Sequence, residues 1–260
     1  MLIDTHVHLD APEFGNAEAV IARARAAGVG LFVVPSVAAA NFSALDALAA
    51  RHPEVRPAFG IHPLYIGQDQ PEVALAALRA RLERGGAVAV GEIGLDFHVE
   101  GLDRGRMEAL YVAQLEMAKD FGLPVLLHLR RAQDQVLKHL RRLRPLGGIA
   151  HAFNGSRQQA EAFIALGFKL GFGGAMTYPG STRIRELARS LPLEALVLET
   201  DGPDIPPAWR PEGPSLPEEL TLYAQVLADL RSLPVTTIIE AVTSNARAAL
   251  PALDRVAGAG

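Results

Sequence analysis

The first apolar run of the chain, "LIDTHVHLD" at residues 2–10, ends in two histidines two positions apart, His6 and His8. In an extended strand, residues i and i+2 point to the same face, so both imidazoles project together, about 7 Å apart along the chain. That spacing suits two ligands of one metal ion. It equally suits two exposed polar residues at the frayed end of a strand, so the motif alone leaves both interpretations open.

The same stretch decides between two α/β folds. Eight short apolar segments, mostly bounded by glycine or proline, alternate with amphipathic segments and have the character of strands covered on both faces. A doubly wound open sheet would need a glycine-rich phosphate turn after its first strand, where this chain has His6 and His8. A (β/α)8 barrel takes about 250 residues. We therefore predict an α/β fold, a single (β/α)8 TIM barrel over residues 1–260.

Capping residues set the bounds of the predicted helices. Asparagine, aspartate and serine are favoured N-caps, and glycine is a favoured C-terminal stop. Three predicted helices have such a pair, Asn16 with Gly28, Asp103 with Gly122 and Ser156 with Gly167, and two more helices are predicted near 217–231 and 235–249.

Composition excludes several classes of protein. The sequence has no cysteine, which rules out disulfides, thiolate metal sites and cysteine nucleophiles. No apolar run approaches the length of about 20 residues that crosses a bilayer, and the first strand begins too early for a signal peptide, so we expect a cytoplasmic protein without a membrane partner. A net charge of -4 argues against coating long duplex DNA, although it allows a protein that grips a strand end.

Polar residues concentrate where the predicted strands end, which is where barrels of this kind carry their active sites. Any one of them could be a hydrogen-bonded polar residue at the rim. Together, however, two carboxylates and four imidazoles facing one mouth form the kind of set that one or two divalent ions would hold. The predicted ligands are His6, His8, Glu92, His128, His151 and Asp201.

The ordered motifs "DTHVHLD", "GIHP", "GEIGLDF", "PVLLHLR", "HAFNGS" and "ETDGPDIP" resemble those of the TatD-type metal-dependent deoxyribonucleases, within the amidohydrolase superfamily. The resemblance runs from residue 2 to about 250. It implies a barrel with two divalent metal ions per chain. In this resemblance Glu92 bridges the two ions, one ion binds to His6, His8 and Asp201, and the second binds to His128 and His151.

A carboxylate bridge fits the lysine content of the predicted strands. Many relatives bridge their metals with a carbamylated lysine on strand four, but the one strand lysine here is Lys169, in the seventh strand. Glu92 is the one carboxylate inside the predicted fourth strand, with Asp96 just beyond it. Oxygen and imidazole ligands suit Zn, Mn, Mg or Co and do not choose among them.

The sequence departs from the family pattern in two places. After His128 the family commonly has Ser-Arg-Asp, whereas this chain has Leu129, Arg130 and Arg131; Ser215 stands where asparagine is expected. These departures, and the motifs "ETDGPDIP" and "MTYPGS", are closer to a less characterised branch of hydrolases and metalloproteins. They leave the metal chemistry in place and open the question of substrate.

The predicted roles follow from this chemistry. Glu92 and Asp201 are the catalytic residues, with Asp201 as general base for a hydroxide that bridges the two metals. Arg130 would hold a phosphate oxygen or form a rim ion pair, and His62 would steer substrate, protonate the leaving group or bond structurally. Beyond these, Asp96 would orient a ligand histidine, Glu13 and His98 could reach the mouth, and Trp209 would stack on a base or, as we favour, fill a hydrophobic gap.

These observations leave three functional hypotheses. The first is a divalent-metal-dependent deoxyribonuclease of the 3'-5' exonuclease type, acting on single-stranded DNA ends. The second is an amidohydrolase or esterase acting on a small molecule or on D-aminoacyl-tRNA. The third, a non-catalytic scaffold, has no need of a general base beside metal ligands. We expect a monomer or a weak oligomer.

Overall fold

The structure is a computed structural model that describes residues 1–67 and 70–255. Eight parallel strands pair in chain order, each with the next, and helices follow the strands on the outside. This arrangement confirms the predicted (β/α)8 barrel. The strands are β1 (Leu2–Asp4), β2 (Val29–Pro35), β3 (Val55–Phe59), β4 (Ala89–Asp96), β5 (Val125–Arg130), β6 (Gly148–Ala150), β7 (Phe168–Phe172) and β8 (Leu196–Leu198).

The helices begin where the sequence predicts caps. The Asn16 side chain accepts from the backbone N–H of Glu18 and Ala19, and Ser156 forms a reciprocal capping box with Gln159. The helices are α1 (Ala17–Ala26), α2 (Phe42–Arg51), α3 (Pro71–Glu83), α4 (Arg104–Asp120), α5 (Gln133–Leu143), α6 (Arg157–Ala165), α7 (Thr182–Ser190), α8 (Leu220–Arg231) and α9 (Val235–Ala249).

One predicted helix boundary differs. The helix expected from residue 217 opens as a 3-10 turn, Pro217–Glu219, and α8 proper begins at Leu220. Proline at the first position suits the tight turn, because its missing N–H needs no partner there. Among the described residues, no helix is both long and apolar enough to span a bilayer.

Hydrogen bonds beyond the strand ladder close the barrel between β1 and β8. The Thr5 backbone N–H and hydroxyl both donate to Leu198 O, at 3.2 and 3.0 Å. The buried Asp4 carboxylate accepts from the Thr200 hydroxyl at 2.6 Å and from the Thr200 N–H at 3.0 Å. Both strands have only three residues. These polar contacts therefore hold together the two chain segments that carry the first and last predicted ligands.

A buried glutamine fixes the end of β3. Gln114, on α4, accepts from the Ile61 N–H at 2.7 Å and donates its amide to Ile61 O at 3.1 Å. Ile61 precedes His62, so this two-point contact anchors the backbone that carries one of the predicted site residues. A buried backbone amide and carbonyl would otherwise lack partners.

We predict that Gln114→Leu lowers the free energy of unfolding by about 2–4 kcal/mol, because two buried backbone groups lose their partners. Urea unfolding of the variant and the wild type measures the difference. Gln225→Leu is the matched control, since Gln225 is exposed on α8 and, among the described residues, its side chain bonds to Asp229 alone. Equal loss in the two variants would contradict the anchoring role of Gln114.

Candidate metal centre

The Glu92 carboxylate, on β4, lies at the centre of a cluster of imidazoles. Its Oε1 lies 2.8 Å from His151 Nε2 and 3.0 Å from His128 Nδ1, and its Oε2 lies 3.2 Å from His6 Nε2. His8 Nε2 is 3.7 Å from Oε2. Oε2 thus faces His6 and His8, whereas Oε1 faces His128, His151 and, at 3.5 Å, His62, and such a division between the two oxygens is the arrangement expected of a bridging ligand.

The first group of donor atoms comes from the segments that follow the first strand, β1, and the last strand, β8. Asp201 Oδ1 lies 3.7 Å from His6 Nε2 and 3.8 Å from His8 Nε2. Donor atoms of these three residues all lie within 4.8 Å of one another, so together they could hold a metal ion. The Asp201 N–H also donates to His6 O at 2.8 Å, which fixes the spacing of the two segments.

The remaining donors form two further sets that share Glu92. His6, Glu92 and His151 form one set that could hold a metal ion, and His62, Glu92 and His128 form another. His62 Nε2 is 3.5 Å from Glu92 Oε1, but its Nδ1 accepts from the Leu64 N–H at 3.2 Å. A neutral His62 then carries its proton on Nε2, which suits a hydrogen-bond donor better than a ligand.

Asp96 contacts the other face of His128. Its Oδ2 is 3.0 Å from His128 Nε2, and its Oδ1 accepts from the backbone N–H of His98 and Val99. Burial would raise the pKa of Asp96, but the bond to His128 and the two backbone donors outweigh it and lower the pKa to about 2. One expectation is corrected: β4 extends through Asp96, so Glu92 is not the one carboxylate in that strand.

The pKa values of the donor residues indicate that the buried carboxylates favour positive charge beside them. Burial would raise the pKa of Glu92, but His62, His151 and His6 hold it well below its usual range. Burial lowers the pKa of His6 to about 3, with a contribution from His151. Burial would also lower the pKa of His151, but Glu92 and Asp201 outweigh it and raise the pKa to about 10. The carboxylates therefore demand positive charge within the cluster, which a divalent cation supplies.

The donor types also fit a metal centre. His6 and His151 direct Nε2 at Glu92, which leaves Nδ1 as the outer nitrogen of each ring. These Nδ1 atoms are buried and have no hydrogen-bond partner among the described residues, although the outer nitrogen of a ligand histidine usually has one. Nitrogen and oxygen donors of this kind suit a first-row divalent ion or Mg²⁺.

Sequence reasoning missed two buried carboxylates beside the ligands. Burial raises the pKa of Asp4 to about 7 and that of Glu199 to about 8, although Thr200 lowers the first and His151 the second. Burial likewise raises the pKa of Asp201 to about 6. Asp4 and Glu199 stand inside the motifs "DTHVHLD" and "ETDGPDIP", so the available signal was an acidic residue two positions from a predicted ligand.

All the predicted ligands except the fully buried His6 line a cavity of about 920 Å³ at the C-terminal ends of the strands. His98 lines this cavity, whereas Glu13 is exposed on the 3-10 turn Pro12–Phe14 and does not. Three arginines, Arg130, Arg131 and Arg183, stand on its exposed rim. Among the described residues, Arg130 and Arg131 make no side-chain ion pair, so the rim ion pair considered for Arg130 is not present.

Two residues of the loop after β8 have structural contacts. Trp209 is 45% exposed, and its ring packs against Tyr223 with 5.7 Å between the ring centroids. Its indole N–H donates to Glu219 at 3.0 Å, and it does not line the cavity. Ser215 is buried, donates to Thr200 O at 2.9 Å and lies 2.9 Å from the Tyr223 hydroxyl oxygen. Ser215, which stands where the family has asparagine, therefore supports the segment that precedes Asp201, and it does not line the cavity.

A barrel with histidine and carboxylate donors at its C-terminal mouth is the architecture of a class of metal-dependent hydrolases. Within that class, the model of the TatD related DNase family matches residues 3–251. The chain therefore belongs to the TatD family and is a metal-dependent hydrolase.

Two similar proteins illustrate this membership, one of them through both its sequence and its crystal structure. An Escherichia coli (strain K12) protein called uncharacterized metal-dependent hydrolase YjjV is 42% identical over 247 residues, 94% of this chain and 95% of its own. The crystal structure of YjjV has a TM-score of 0.92 at 41% identity and covers 96% of this chain and 98% of its own. A Pantoea sp. (strain At-9b) protein called 3'-5' ssDNA/RNA exonuclease TatD is 35% identical over 207 residues, 78% of this chain and 79% of its own.

We predict that divalent metal stabilises the fold through Glu92. At a free Mn²⁺ concentration about 100 times the dissociation constant, the free energy of unfolding should rise by about 2.7 kcal/mol over chelator-treated protein. Thermal or urea unfolding with and without the ion measures this increment. Glu92→Ala should lose most of it, while Glu100→Ala, at an exposed glutamate beyond the same strand, should keep it. Equal increments in both variants would contradict the assignment.

Proposed function

We propose that this hydrolase is a deoxyribonuclease that uses two divalent ions to remove nucleotides from single-stranded DNA ends in the 3'-5' direction. The observation that carries the proposal is the position of the donor cluster, at the floor of a concave cavity whose rim bears arginines without an ion-pair partner among the described residues. A phosphate that enters the cavity meets the arginines first and the donors last.

The bridging position of Glu92 supports two ions in place of one. Its Oε2 faces His6 and His8, and its Oε1 faces His128 and His151. Asp201 completes the first donor group. Bound at these positions, Zn²⁺, Mn²⁺, Mg²⁺ or Co²⁺ would lower the pKa of an attacking water and polarise the phosphoryl oxygen.

The surrounding side chains supply the remaining roles. Asp201 belongs to the first donor group, and its carboxylate can also accept the proton of the attacking water as general base. His62 carries a proton on Nε2 toward the cavity floor and can donate it to the leaving oxygen. Arg130, on the rim, can bond to a non-bridging phosphate oxygen through two N–H donors.

The shape of the site favours a single strand. A scissile phosphate has to descend into a concave pocket, and duplex DNA is a thick, stiff rod whose phosphates cannot do so without local melting. The net charge of -4 gives little long-range attraction for duplex. The name of the Pantoea relative, a 3'-5' ssDNA/RNA exonuclease, supports the same substrate class.

We predict stepwise shortening of a linear single-stranded DNA oligonucleotide from its 3' end. A 5'-labelled oligonucleotide, a blunt duplex and a closed circular single strand are incubated with Mg²⁺ or Mn²⁺ and sampled over time. A ladder from the linear strand, with slow duplex cleavage and a resistant circle, is the expected pattern. Asp201→Asn should lose turnover while retaining much of the second ion.

Other patterns would change the assignment. Rapid nicking of the circle would contradict an exonuclease. Inertness toward all three DNA substrates, with hydrolysis of a small amide, a simple ester or a D-aminoacyl ester, would replace the nuclease with an amidohydrolase or esterase.

We further predict that Arg130→Ala lowers kcat/KM on the oligonucleotide by about 10- to 100-fold, the worth of one charge-assisted hydrogen bond of about 1.5–3 kcal/mol. Steady-state kinetics of the two proteins measure it. Arg130 is exposed, so the fold should be unaffected. Arg141→Ala is the control, because Arg141 is exposed on α5 and does not line the cavity. An unchanged kcat/KM in Arg130→Ala would remove Arg130 from the phosphate-binding role.

A further inference from the structure

A buried carboxylate outside the ligand set lies directly behind the metal centre. Glu199 follows β8, is 1% exposed and reaches the floor of the cavity. Burying a carboxylate without a charged or hydrogen-bonding partner is strongly unfavourable. Its partners should therefore explain why it is there.

The neighbouring strand is shaped to admit this side chain. At Gly171, on β7, an added Cβ would overlap the Glu199 carboxylate, and at Gly173 it would overlap the Glu199 carbonyl oxygen. Any residue other than glycine at position 171 would thus push the carboxylate away. The three atoms nearest that Cβ position all belong to the Glu199 carboxylate.

The carboxylate meets the segment that carries His151. Glu199 Oε1 accepts from the Ala152 N–H, and the same oxygen lies 3.9 Å from His151 Nδ1. Ala152 has a φ of 43°, a conformation that non-glycine residues seldom adopt and that needs support from its surroundings. His151 points its other nitrogen, Nε2, at Glu92.

Asp201 is the other carboxylate near His151 Nδ1, with Oδ1 at 3.8 Å. The same Asp201 oxygen, however, faces His6 and His8 as part of the first donor group. A ligand engaged there is poorly placed to orient a second imidazole. Glu199 Oε2 has no hydrogen-bond partner among the described residues, so this carboxylate retains accepting capacity.

We propose that Glu199 is a positioning residue that aims His151 Nε2 at the metal centre, by holding the Ala152 amide and by favouring the His151 tautomer with its proton on Nδ1. Only that tautomer leaves the Nε2 lone pair free for a metal ion. At 3.9 Å from His151 Nδ1 the carboxylate forms no hydrogen bond to it in this structure, so it acts through its negative charge beside the outer nitrogen of the histidine, the position that carboxylates take in metal sites generally. The inference rests on the proposed binding of metal by His151.

The test follows binding of Co²⁺ to chelator-treated protein by its visible absorption, without substrate. His151→Asn identifies the binding step and the absorption bands that depend on that imidazole. Glu199→Leu keeps the volume but removes the acceptor, and Glu199→Gln keeps a neutral acceptor. Glu194→Leu and Glu194→Gln are matched controls at an exposed glutamate before β8.

We expect the His151-dependent step to weaken by about 10- to 100-fold in Glu199→Leu, with altered bands, and by about threefold to tenfold in Glu199→Gln. Gly171→Ala, which displaces an intact carboxylate, should resemble Glu199→Leu. Wild-type affinity and bands in Glu199→Leu would overturn the inference. If that variant does not fold, wild-type affinity in Glu199→Gln would overturn it instead.

Failure of this inference and failure of the proposed function are separable. A protein that binds Co²⁺ in the expected graded series but leaves every oligonucleotide intact would contradict the nuclease and leave the role of Glu199 standing. Turnover of the oligonucleotide together with unchanged Co²⁺ binding in the Glu199 variants would support the nuclease and contradict the role of Glu199.

Discussion

The buried carboxylate of Glu92 is the constraint on which the site depends. It is 2% exposed, and the imidazoles of five histidines lie within 3.7 Å of its oxygens. A buried negative charge is tolerated only where positive charge or several donors compensate it. Strands β1, β3, β5 and β6 each end at this point, so the barrel topology delivers the compensating groups from four separate parts of the chain.

The strands that deliver these groups are short, so other contacts have to hold their ends. β1, β6 and β8 have three residues each, and the residues that follow them lie outside the ladder. Asp4 and Thr200 join the first and last of these ends, and Gln114 anchors the segment before His62. Ala152 and Asp201 both have positive φ, at 43° and 53°, so the backbone is strained beside two donors. Buried polar contacts thus position the site as much as the strands do.

Sequence patterns predicted those features that are encoded locally. The alternation of apolar strands and capped helices predicted the barrel. The His6-x-His8 pair predicted two neighbouring imidazoles, and their ring centroids lie 5.1 Å apart, although β1 ends at Asp4 and the pair follows the strand. Features that depend on distant partners were missed. Asp4 binds a residue 196 positions away, and no local pattern marks Glu199 as buried.

Substitutions at the buried metal centre and at the exposed rim differ in how much stability they cost, so the residues for chemistry and those for substrate choice can vary separately. Changing a buried donor leaves the remaining charges uncompensated, at a cost of several kcal/mol, so the ligand set has little freedom to vary. Arg130 and Arg131 are exposed and have no ion-pair partner among the described residues, and exposed positions of this kind change stability by about 0.5 kcal/mol or less when substituted. A hydrolytic centre of one design can therefore serve different substrates through rim changes alone. In the Leu129 to Arg131 departure, Leu129 is buried in the core, whereas Arg130 and Arg131 lie at that rim, where substitution costs the fold least.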